Sequence, residues 1–284
     1  MTDPNDFLSR ADFASARSKA FFNTVLAFLT GRQNRLLAFE EVKEKLHIGG
    51  PIYRGLQTVR LDQIVGSVDR YRDFDRAFLP TQDHTGSRWR RVNRAWYEDI
   101  SLPPVLLYKV GEVYFVVDGN HRVSVALEQG QEFIDAEVRE CHVKVPVTSD
   151  LRPEDLEFLG DKVEFLERTN LDRLRPEANI ETTVLGGYER MLEHIAVHRY
   201  FMGLDFKRDV SEAEAVEHWY DTVYLPVVEV IRENGLLEEF PGKTEADFYL
   251  WVMDHRHYLV SQGVADLVEP EKAAEEFVQY YSGK

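Results

Sequence analysis

The chain has 284 residues, of which 44% are hydrophobic, so it is long enough to bury one or two sizeable cores. Its net charge of −16 excludes a surface coated for nucleic acid, and its single cysteine excludes an internal disulfide and a cysteine-rich zinc site. The longest apolar run near the N-terminus, residues 24–29, is too short to span a bilayer. These features predict a cytoplasmic protein without a membrane segment.

The charge is unevenly distributed along the chain. Residues 1–100 hold 16 Lys and Arg against 13 Asp and Glu, whereas residues 101–284 hold 18 against 37. An anion-binding site is therefore expected to draw on the first part of the chain.

Residues 8–46 are predicted to form two helices that Gly31 separates. Residues 57–60 are then predicted to form a short strand, residues 61–65 one helical turn, and residues 66–80 a polar loop or an irregular helix start. The apolar stripe of the first helix consists of Phe13, Ala20, Phe21, Val25, Phe28 and Leu29.

A strand, a tight turn, a helix and a further strand are predicted in the middle of the chain. After a helix over residues 88–97, residues 105–109 and 113–117 alternate as a β-hairpin that leads into the sequence Asp-Gly-Asn-His-Arg at residues 118–122. Apolar residues then recur at helical spacing up to Gly130, and a closing strand follows at residues 134–138.

Residues 146–153 form the clearest predicted linker, and the pattern beyond them is helical. Capping boxes open two of the four predicted helices, which cover residues 184–202, 212–234, 245–260 and 270–281. The chain is therefore expected to be an α+β protein with a helical arm at residues 1–50, a small mixed-sheet domain at 51–145 and an acidic helical domain at 146–284.

The turn at residues 118–122 carries the strongest functional signal. A helix N-terminus has free amide groups and a positive dipole, so a phosphate fits there, and neighbouring His121 and Arg122 would hold it more firmly. The alternative is a structural turn, in which Asp118 caps the helix and Arg122 meets a surface carboxylate.

Four segments in this order resemble the ParB/sulfiredoxin superfamily over residues 51–143. They are Leu-Asp-Gln-Ile-Val at 61–65 with the Asp-Arg-Tyr-Arg loop at 69–72, Pro-Pro-Val at 103–105, Val-Val-Asp-Gly-Asn-His-Arg at 116–122, and Ile-Asp-Ala-Glu-Val at 134–138. The resemblance implies a compact nucleotide-binding module whose Gly-Asn-His-Arg turn holds the phosphates of CTP or ATP. The turn is most similar to the Asp-Gly-His-His-Arg of the kinases that phosphorylate free serine. The chain also resembles uncharacterised bacterial proteins that join a ParB-like domain to a helical domain.

Two departures from the family narrow this expectation. Sulfiredoxins have a cysteine where Asn120 stands, and ParB proteins have an arginine where His121 stands and continue into a basic helix-turn-helix domain. Sulfinic-acid repair and DNA segregation are therefore not expected. The free-serine kinases also use a glutamate from the first half of the domain, and Asp69 lies in the corresponding loop.

The resemblance and the residue chemistry together predict a nucleotide site, for ATP, ADP or CTP with Mg²⁺. Asp118 and Asp69 would act as the carboxylates that orient or deprotonate a hydroxyl acceptor, as phosphoryl transfer requires. The predicted phosphate-binding residues are Gly119, Asn120, His121, Arg122, Ser124, Arg70 and Arg72. Two functions remain open: a small-molecule kinase, or a nucleotide-gated regulatory module that acts on protein partners or DNA without phosphotransfer.

Residues 70–94 contain seven arginines and three aspartates, interleaved with aromatic residues. This patch could pair with acidic residues of the same or another subunit, contact a nucleotide, or contact nucleic acid. Binding to duplex DNA is not expected because the overall negative charge repels phosphate. Association of the chain into a homo-oligomer is possible. His194 and His198, four residues apart, are expected to be packing residues rather than metal ligands.

Overall fold

The computed structural model describes residues 4–31, 33–261 and 269–281, and the chain forms two compact units, residues 1–159 and 160–284. Unit 1 combines a six-stranded mixed sheet with helices, and the described part of unit 2 is helical. The strands are β1 (Leu37–Ala38), β2 (Pro51–Arg60), β3 (Ile64–Ser67), β4 (Val105–Val110), β5 (Val113–Asp118) and β6 (Phe133–Cys141). The helices of unit 1 are α1 (Pro4–Thr30), α2 (Phe39–Lys45), α3 (Gly86–Tyr97) and α4 (Asn120–Glu128), and α5 (Leu156–Thr169) leads into unit 2.

The sheet of unit 1 has the order β1-β3-β5-β4-β6-β2. Strands β1, β3 and β5 are parallel neighbours, whereas β4 runs antiparallel to β5 and parallel to β6. The carboxyl ends of β1, β3 and β5 therefore lie at the edge of the sheet where β4 begins. In open sheets of this kind, ligands bind at the carboxyl ends of parallel strands.

The core of unit 1 lies against helices α3 and α4. Trp89 of α3 is fully buried and its indole N–H donates to the Ser124 hydroxyl of α4 at 2.9 Å. This bond fixes the two helices next to each other, so the start of α3 approaches the start of α4. The predicted hairpin and the α4 helix are confirmed.

Helix α1 packs on unit 1 through small and polar residues. Ser9, Ala16 and Ala20 are buried, while Asp12 accepts hydrogen bonds from Asn93 and Tyr97 of α3 at 2.8 and 2.6 Å. The predicted apolar stripe is divided, since Phe13 packs on Trp89 at 5.5 Å but the other large members are exposed. The exposed members are Phe21, Val25, Phe28 and Leu29.

Three strands differ from the sequence-based expectation. The predicted helix at residues 36–46 begins instead with the short strand β1, and the predicted strand at 57–60 is the end of the ten-residue β2. The predicted loop at residue 66 is part of β3, where Gly66 is squeezed between two strands. A Cβ there would lie 2.4 Å from the Leu37 carbonyl and 2.5 Å from the Phe115 ring, so only glycine fits.

Strand β2 is the outermost strand on its side and pairs only with β6 within the described residues. The pairing shifts register between Tyr53 and Gly55, and Gly55 has a positive φ of 83°. Ile52, Tyr53 and Leu56 are exposed.

Unit 2 is built around aromatic side chains. Trp219 and Tyr249 are fully buried, and Asp247, also fully buried, accepts hydrogen bonds from Thr182 and Thr183. Its remaining helices are α6 (Leu171–Leu174), α7 (Gly187–Phe206), α8 (Glu212–Trp219), α9 (Leu225–Glu233), α10 (Leu236–Glu239), α11 (Glu245–Ser261) and α12 (Pro270–Tyr281).

The predicted helix over residues 212–234 is interrupted by one π-helical segment, Tyr220–Tyr224. Pro226, two positions after this segment, explains the interruption. It has no amide hydrogen to donate, and its ring would clash with the carbonyl of Thr222 in a regular α-helix. The Thr222 hydroxyl donates to the carbonyl of His218 at 2.7 Å, which satisfies part of the backbone in the widened turn.

The predicted linker at 146–153 packs onto unit 1. Val147 and Leu151 are buried, and Arg76 donates to the carbonyls of Ser149 and Leu151 at 2.9 and 2.8 Å. The division of the chain into units falls further along, between residues 159 and 160. No helix among the described residues combines the length and apolar character that crossing a membrane requires.

Candidate phosphate site

Strand β5 passes into helix α4 through one glycine. Gly119 has φ 114°, and a Cβ at this position would lie 2.6 Å from Cγ1 of Val105. Both observations exclude larger residues. The chain therefore turns sharply after Asp118, and α4 begins with Asn120 directly at the end of the strand.

The first turn of α4 leaves amide groups available. The Gly119 carbonyl accepts from the amides of Arg122 and Val123 at 2.8 and 3.0 Å. Within the described residues, the amides of Asn120 and His121 have no backbone acceptor, as is usual for the first positions of a helix. They lie at the positive end of the helix dipole.

Two buried side chains of the same turn have polar atoms without a partner. Asn120 and His121 are each 5% exposed, and neither Oδ1 of Asn120 nor Nδ1 of His121 is hydrogen-bonded within the described chain. An unpaired buried polar atom costs about 1–3 kcal/mol. Such atoms are uncommon in folded proteins and call for a functional explanation.

The loop after β3 lies beside this turn because β3 and β5 are parallel neighbours. The amide of Val68 donates to the carbonyl of Val116 at 2.9 Å, so the following residues are level with the start of α4. Phe74 of the same loop contacts the His121 ring edge to face, with 5.3 Å between the centroids. Arg70 pairs with Asp73 at 2.9 Å, and His84 lies 3.5 Å from the same carboxylate.

The electrostatic surroundings of His121 are cationic. Burial and, to a smaller extent, the charges of Arg88 and Arg70 together lower the pKa of His121 to about 4, while Asp73 opposes them. His121 is therefore neutral at pH 7. Arg70, Arg88 and the neutral His121 form a group that we call the cationic cluster after its two arginines; Arg88 comes from the start of α3, which the Trp89 to Ser124 bond brings close.

Arg122 points to a different part of the site. Its guanidinium donates to the carbonyls of Pro103 and Pro104, the latter at 2.8 Å, and forms an ion pair of 2.5 Å with Asp118. Arg122 thus ties the segment before β4 to the end of β5. Asp118 is exposed, and its carboxylate is paired with the arginine.

The remaining predicted site residues are dispersed. Asp69 is exposed in the loop after β3, and Arg72 lies over the ring of Tyr71 at 5.4 Å. Ser124 is buried in the contact between α3 and α4. The contacts of Asp69, Arg72 and Ser124 with a ligand stay predictions.

Two cavities in unit 1 include residues that belong to the turn or contact it. One of about 540 Å³ is lined by Arg122, Trp96, Thr58 and residues 99–104. The other, of about 750 Å³, is lined by Arg72, Tyr71, charged residues of α2 and Phe74, whose ring contacts His121. Asn120 and His121 themselves line neither of these two cavities.

Arg88 and Asp73 are not among the site residues predicted from the sequence. Their only sequence signal was membership of the arginine-rich stretch at 70–94, and the packing that brings α3 to α4 depends on residues far apart in sequence.

The histidines of unit 2 form packing contacts. Nδ1 of His194 lies 3.1 Å from the Tyr249 hydroxyl, and Nε2 of His198 lies 2.8 Å from Nδ1 of His218. The described residues contain no group of three His, Cys, Asp or Glu side chains that could hold a metal ion.

Comparison with protein-family models found no match, and comparison with curated proteins found none either. The ligand of the candidate site is therefore inferred from the side chains and backbone groups of the site itself.

Proposed function

We propose that unit 1 binds the phosphate groups of a nucleotide at the N-terminus of α4. The observation that carries this proposal is the pair of buried, unpartnered side-chain atoms of Asn120 and His121 beside the free amides of the same turn. A half-turn of the Asn120 amide presents its N–H instead of its oxygen, so the side chain can donate to a phosphate oxygen. A phosphate would also meet the positive charge of Arg88, and that of Arg70 once it replaces Asp73 as the partner of this arginine.

The nucleotide class is supported by the resemblance of residues 51–143 to the ParB/sulfiredoxin superfamily. The mixed sheet, the glycine turn and the helix that follows it are compatible with that fold. The 540 Å³ cavity, which Arg122 of the same helix lines, is large enough for a base and a sugar. ATP, ADP and CTP are the proposed ligands.

The proposed reaction is phosphoryl transfer to the hydroxyl group of a small molecule. The α4 turn and the cationic cluster would position the phosphates and neutralise their charge, which is most of what this chemistry needs. Asp118 or Asp69 would accept the proton of the attacking hydroxyl. For Asp118 this requires release from Arg122, with which it is paired.

The carboxylates near the turn do not form a ready Mg²⁺ site. Asp118 is paired with Arg122 and Asp73 with Arg70, so both negative charges are already neutralised. Mg²⁺ favours sites with free carboxylates and phosphate oxygens. No step of the proposed phosphoryl transfer is therefore assigned to a metal held by these residues.

A second candidate is a nucleotide-gated module without phosphotransfer, and the contacts of Arg122 favour it. A phosphate that competes for Arg122 would withdraw it from the carbonyls of Pro103 and Pro104. The segment at 99–104, which lines the 540 Å³ cavity, would then be free to move. Binding would become a conformational signal without a chemical step.

Calorimetry with the full chain and ATP, ADP, CTP and GTP tests the binding. Arg88→Ala should weaken binding about ten- to hundredfold, because a charge-assisted contact contributes about 1.5–3 kcal/mol. Arg91→Ala is the matched control, since this exposed arginine lies on the same helix. Absence of binding to the unmodified chain, or equal loss in both variants, would refute the site.

Mass spectrometry of the reaction mixture then separates the two candidates. A phosphorylated small-molecule hydroxyl compound indicates the kinase. Nucleotide binding that accelerates hydrogen exchange at residues 99–104 without a product indicates the gated module.

A further inference from the structure

Helix α1 is amphipathic, but its small and polar side chains face unit 1 and its large apolar side chains are exposed. The side that faces unit 1 carries Ser9, Ala16, Ala20 and Asn23, and Asn23 donates to the buried carboxylate of Asp75 at 3.0 Å. The opposite side carries the large apolar residues. Phe28 is 87% exposed and Phe21 is 68% exposed.

The exposed side of α1 follows a heptad spacing. Residues 7, 11, 14, 18, 21, 25 and 28 are separated alternately by four and three positions, and all of them are exposed. This spacing is typical of helices that pair along their length. We call this side the α1 seam; its members are Phe7, Ala11, Ala14, Ser18, Phe21, Val25 and Phe28, with Leu8, Phe22, Leu26 and Leu29 beside them.

The size and charge of the seam indicate its partner. Its exposed apolar side chains amount to on the order of 800 Å², since one aromatic side chain carries about 150–250 Å², and this is what each partner of a stable complex buries. Residues 20–31 contain no charged side chain, so no counter-charge on a partner is needed along this stretch. A membrane surface is disfavoured because α1 carries three basic residues against two acidic ones, whereas helices that lie on lipid surfaces are rich in Lys and Arg on their polar face.

We infer that two copies of this chain associate through the α1 seam, with the two helices antiparallel. Apart from Phe7, the small seam residues lie in the first half of the helix and the large ones in the second half. An antiparallel pair centred near Ser18 places Phe21 opposite Ala14, and Val25 opposite Ala11, of the other copy. Phe21 and Val25 then each meet a small side chain, while Phe28 meets Phe7 at both ends of the pair.

Sedimentation equilibrium of the full chain tests the association. The unmodified chain should be a dimer, and Phe21→Glu with Phe28→Glu should be a monomer with an unchanged melting temperature, because both side chains are exposed. The control is Leu185→Glu, a similarly exposed apolar residue of unit 2, which should stay a dimer. A monomeric unmodified chain, or a dimer that survives the double substitution, overturns the inference.

Cross-linking tests the direction of the helices. In a Cys141→Ser background, a mixture of Phe7→Cys and Phe28→Cys chains should cross-link between unlike chains with a short bismaleimide. Cross-linking of Phe28→Cys chains to each other alone would show a parallel pair and contradict the antiparallel arrangement. Flotation of a monomeric chain with vesicles of phosphatidylcholine and phosphatidylglycerol would assign the seam to a membrane instead.

Discussion

His121 and Arg122 are consecutive residues that occupy different surroundings. Neighbouring positions of a helix differ by about 100° in direction, so the two side chains leave α4 on different sides. His121 lies against Phe74 in the cationic cluster, whereas Arg122 binds the backbone before β4. The sequence predicted that both residues bind the same phosphate. In the structure, His121 is a buried neutral imidazole and Arg122 holds the segment before β4 in place.

Arg122→Ala should destabilise unit 1 by about 1.5–3 kcal/mol, because charge-assisted hydrogen bonds are lost and two proline carbonyls lose their donor. Hydrogen exchange at residues 101 and 102 should accelerate in the variant. Asp118→Asn keeps an oxygen acceptor at an exposed position and should cost less than about 1 kcal/mol. Unchanged exchange in Arg122→Ala would show that the segment is held by other contacts.

The titration of His121 should respond to the arginines beside it. The pKa of about 4 in the free protein should rise in Arg88→Ala, because removal of a nearby positive charge makes the imidazolium less unfavourable. A bound phosphate should also raise it, so binding takes up a proton and affinity increases as the pH falls below neutrality. NMR titration of the His121 ring protons measures both effects, and a pKa identical in Arg88→Ala and the unmodified chain would contradict the cluster.

At the scale of elements, the sequence pattern located most helices and the hairpin but not the direction of α1. Periodicity shows that apolar residues share a face, and it does not show whether that face meets the core. Strand β3 was missed because its four residues include Gly66, whose role is to let two strands approach closely. A single helix was predicted over residues 212–234 because the π-helical segment between α8 and α9 has nearly the same periodicity as an α-helix.

The candidate site was predictable where it depends on local sequence. The turn at Gly119 and the helix after it follow from neighbouring residues, as does the position of Asn120 at the helix start. The approach of Arg88 depends on Trp89 meeting Ser124, 35 positions away, and the acceptors of Arg122 are backbone carbonyls. Neither contact leaves a pattern in the sequence.

Helix α1 should be an integral part of unit 1 because a polar network holds it. Asp12 accepts from Asn93, Tyr97 and Gln129, so Asp12→Ala leaves three donors without this acceptor and should cost about 2–4 kcal/mol. Asp6→Ala is the control, since Asp6 forms only an i,i+4 pair with exposed Arg10 and should cost under about 0.5 kcal/mol. Urea unfolding measures both; equal effects would show that the network contributes nothing.

At the scale of the whole molecule, the negative charge belongs mostly to unit 2. Residues 160–284 contain 26 Asp and Glu against 13 Lys and Arg, whereas residues 1–159 contain 24 against 21. The candidate phosphate site thus lies in the unit that repels an anion less. Unit 2 also holds two of the three histidines whose pKa burial lowers to about 4, namely His194 and His198.

The stability of the chain should fall as the pH is lowered from about 6.5 to 4. In this range the unfolded chain protonates these histidines and the folded chain does not, so each contributes a loss of up to about 1.4 kcal/mol per pH unit. Denaturation at several pH values measures the slope, which His198→Gln should reduce for unit 2. His142→Gln, at an exposed position, is the control, and equal slopes in both variants would contradict the assignment.

The ten residues of β2 give the sheet an open edge of backbone donors and acceptors, the kind of surface on which other chains can add as further strands. Its own sequence works against such growth. Pro51 offers no amide hydrogen, Arg54 brings charge to the irregular pairing, and the left-handed Gly55 bends the strand away from a straight template. The amino acids at these three positions of β2 therefore oppose the addition of a further strand. Resistance to fibril formation should depend on them.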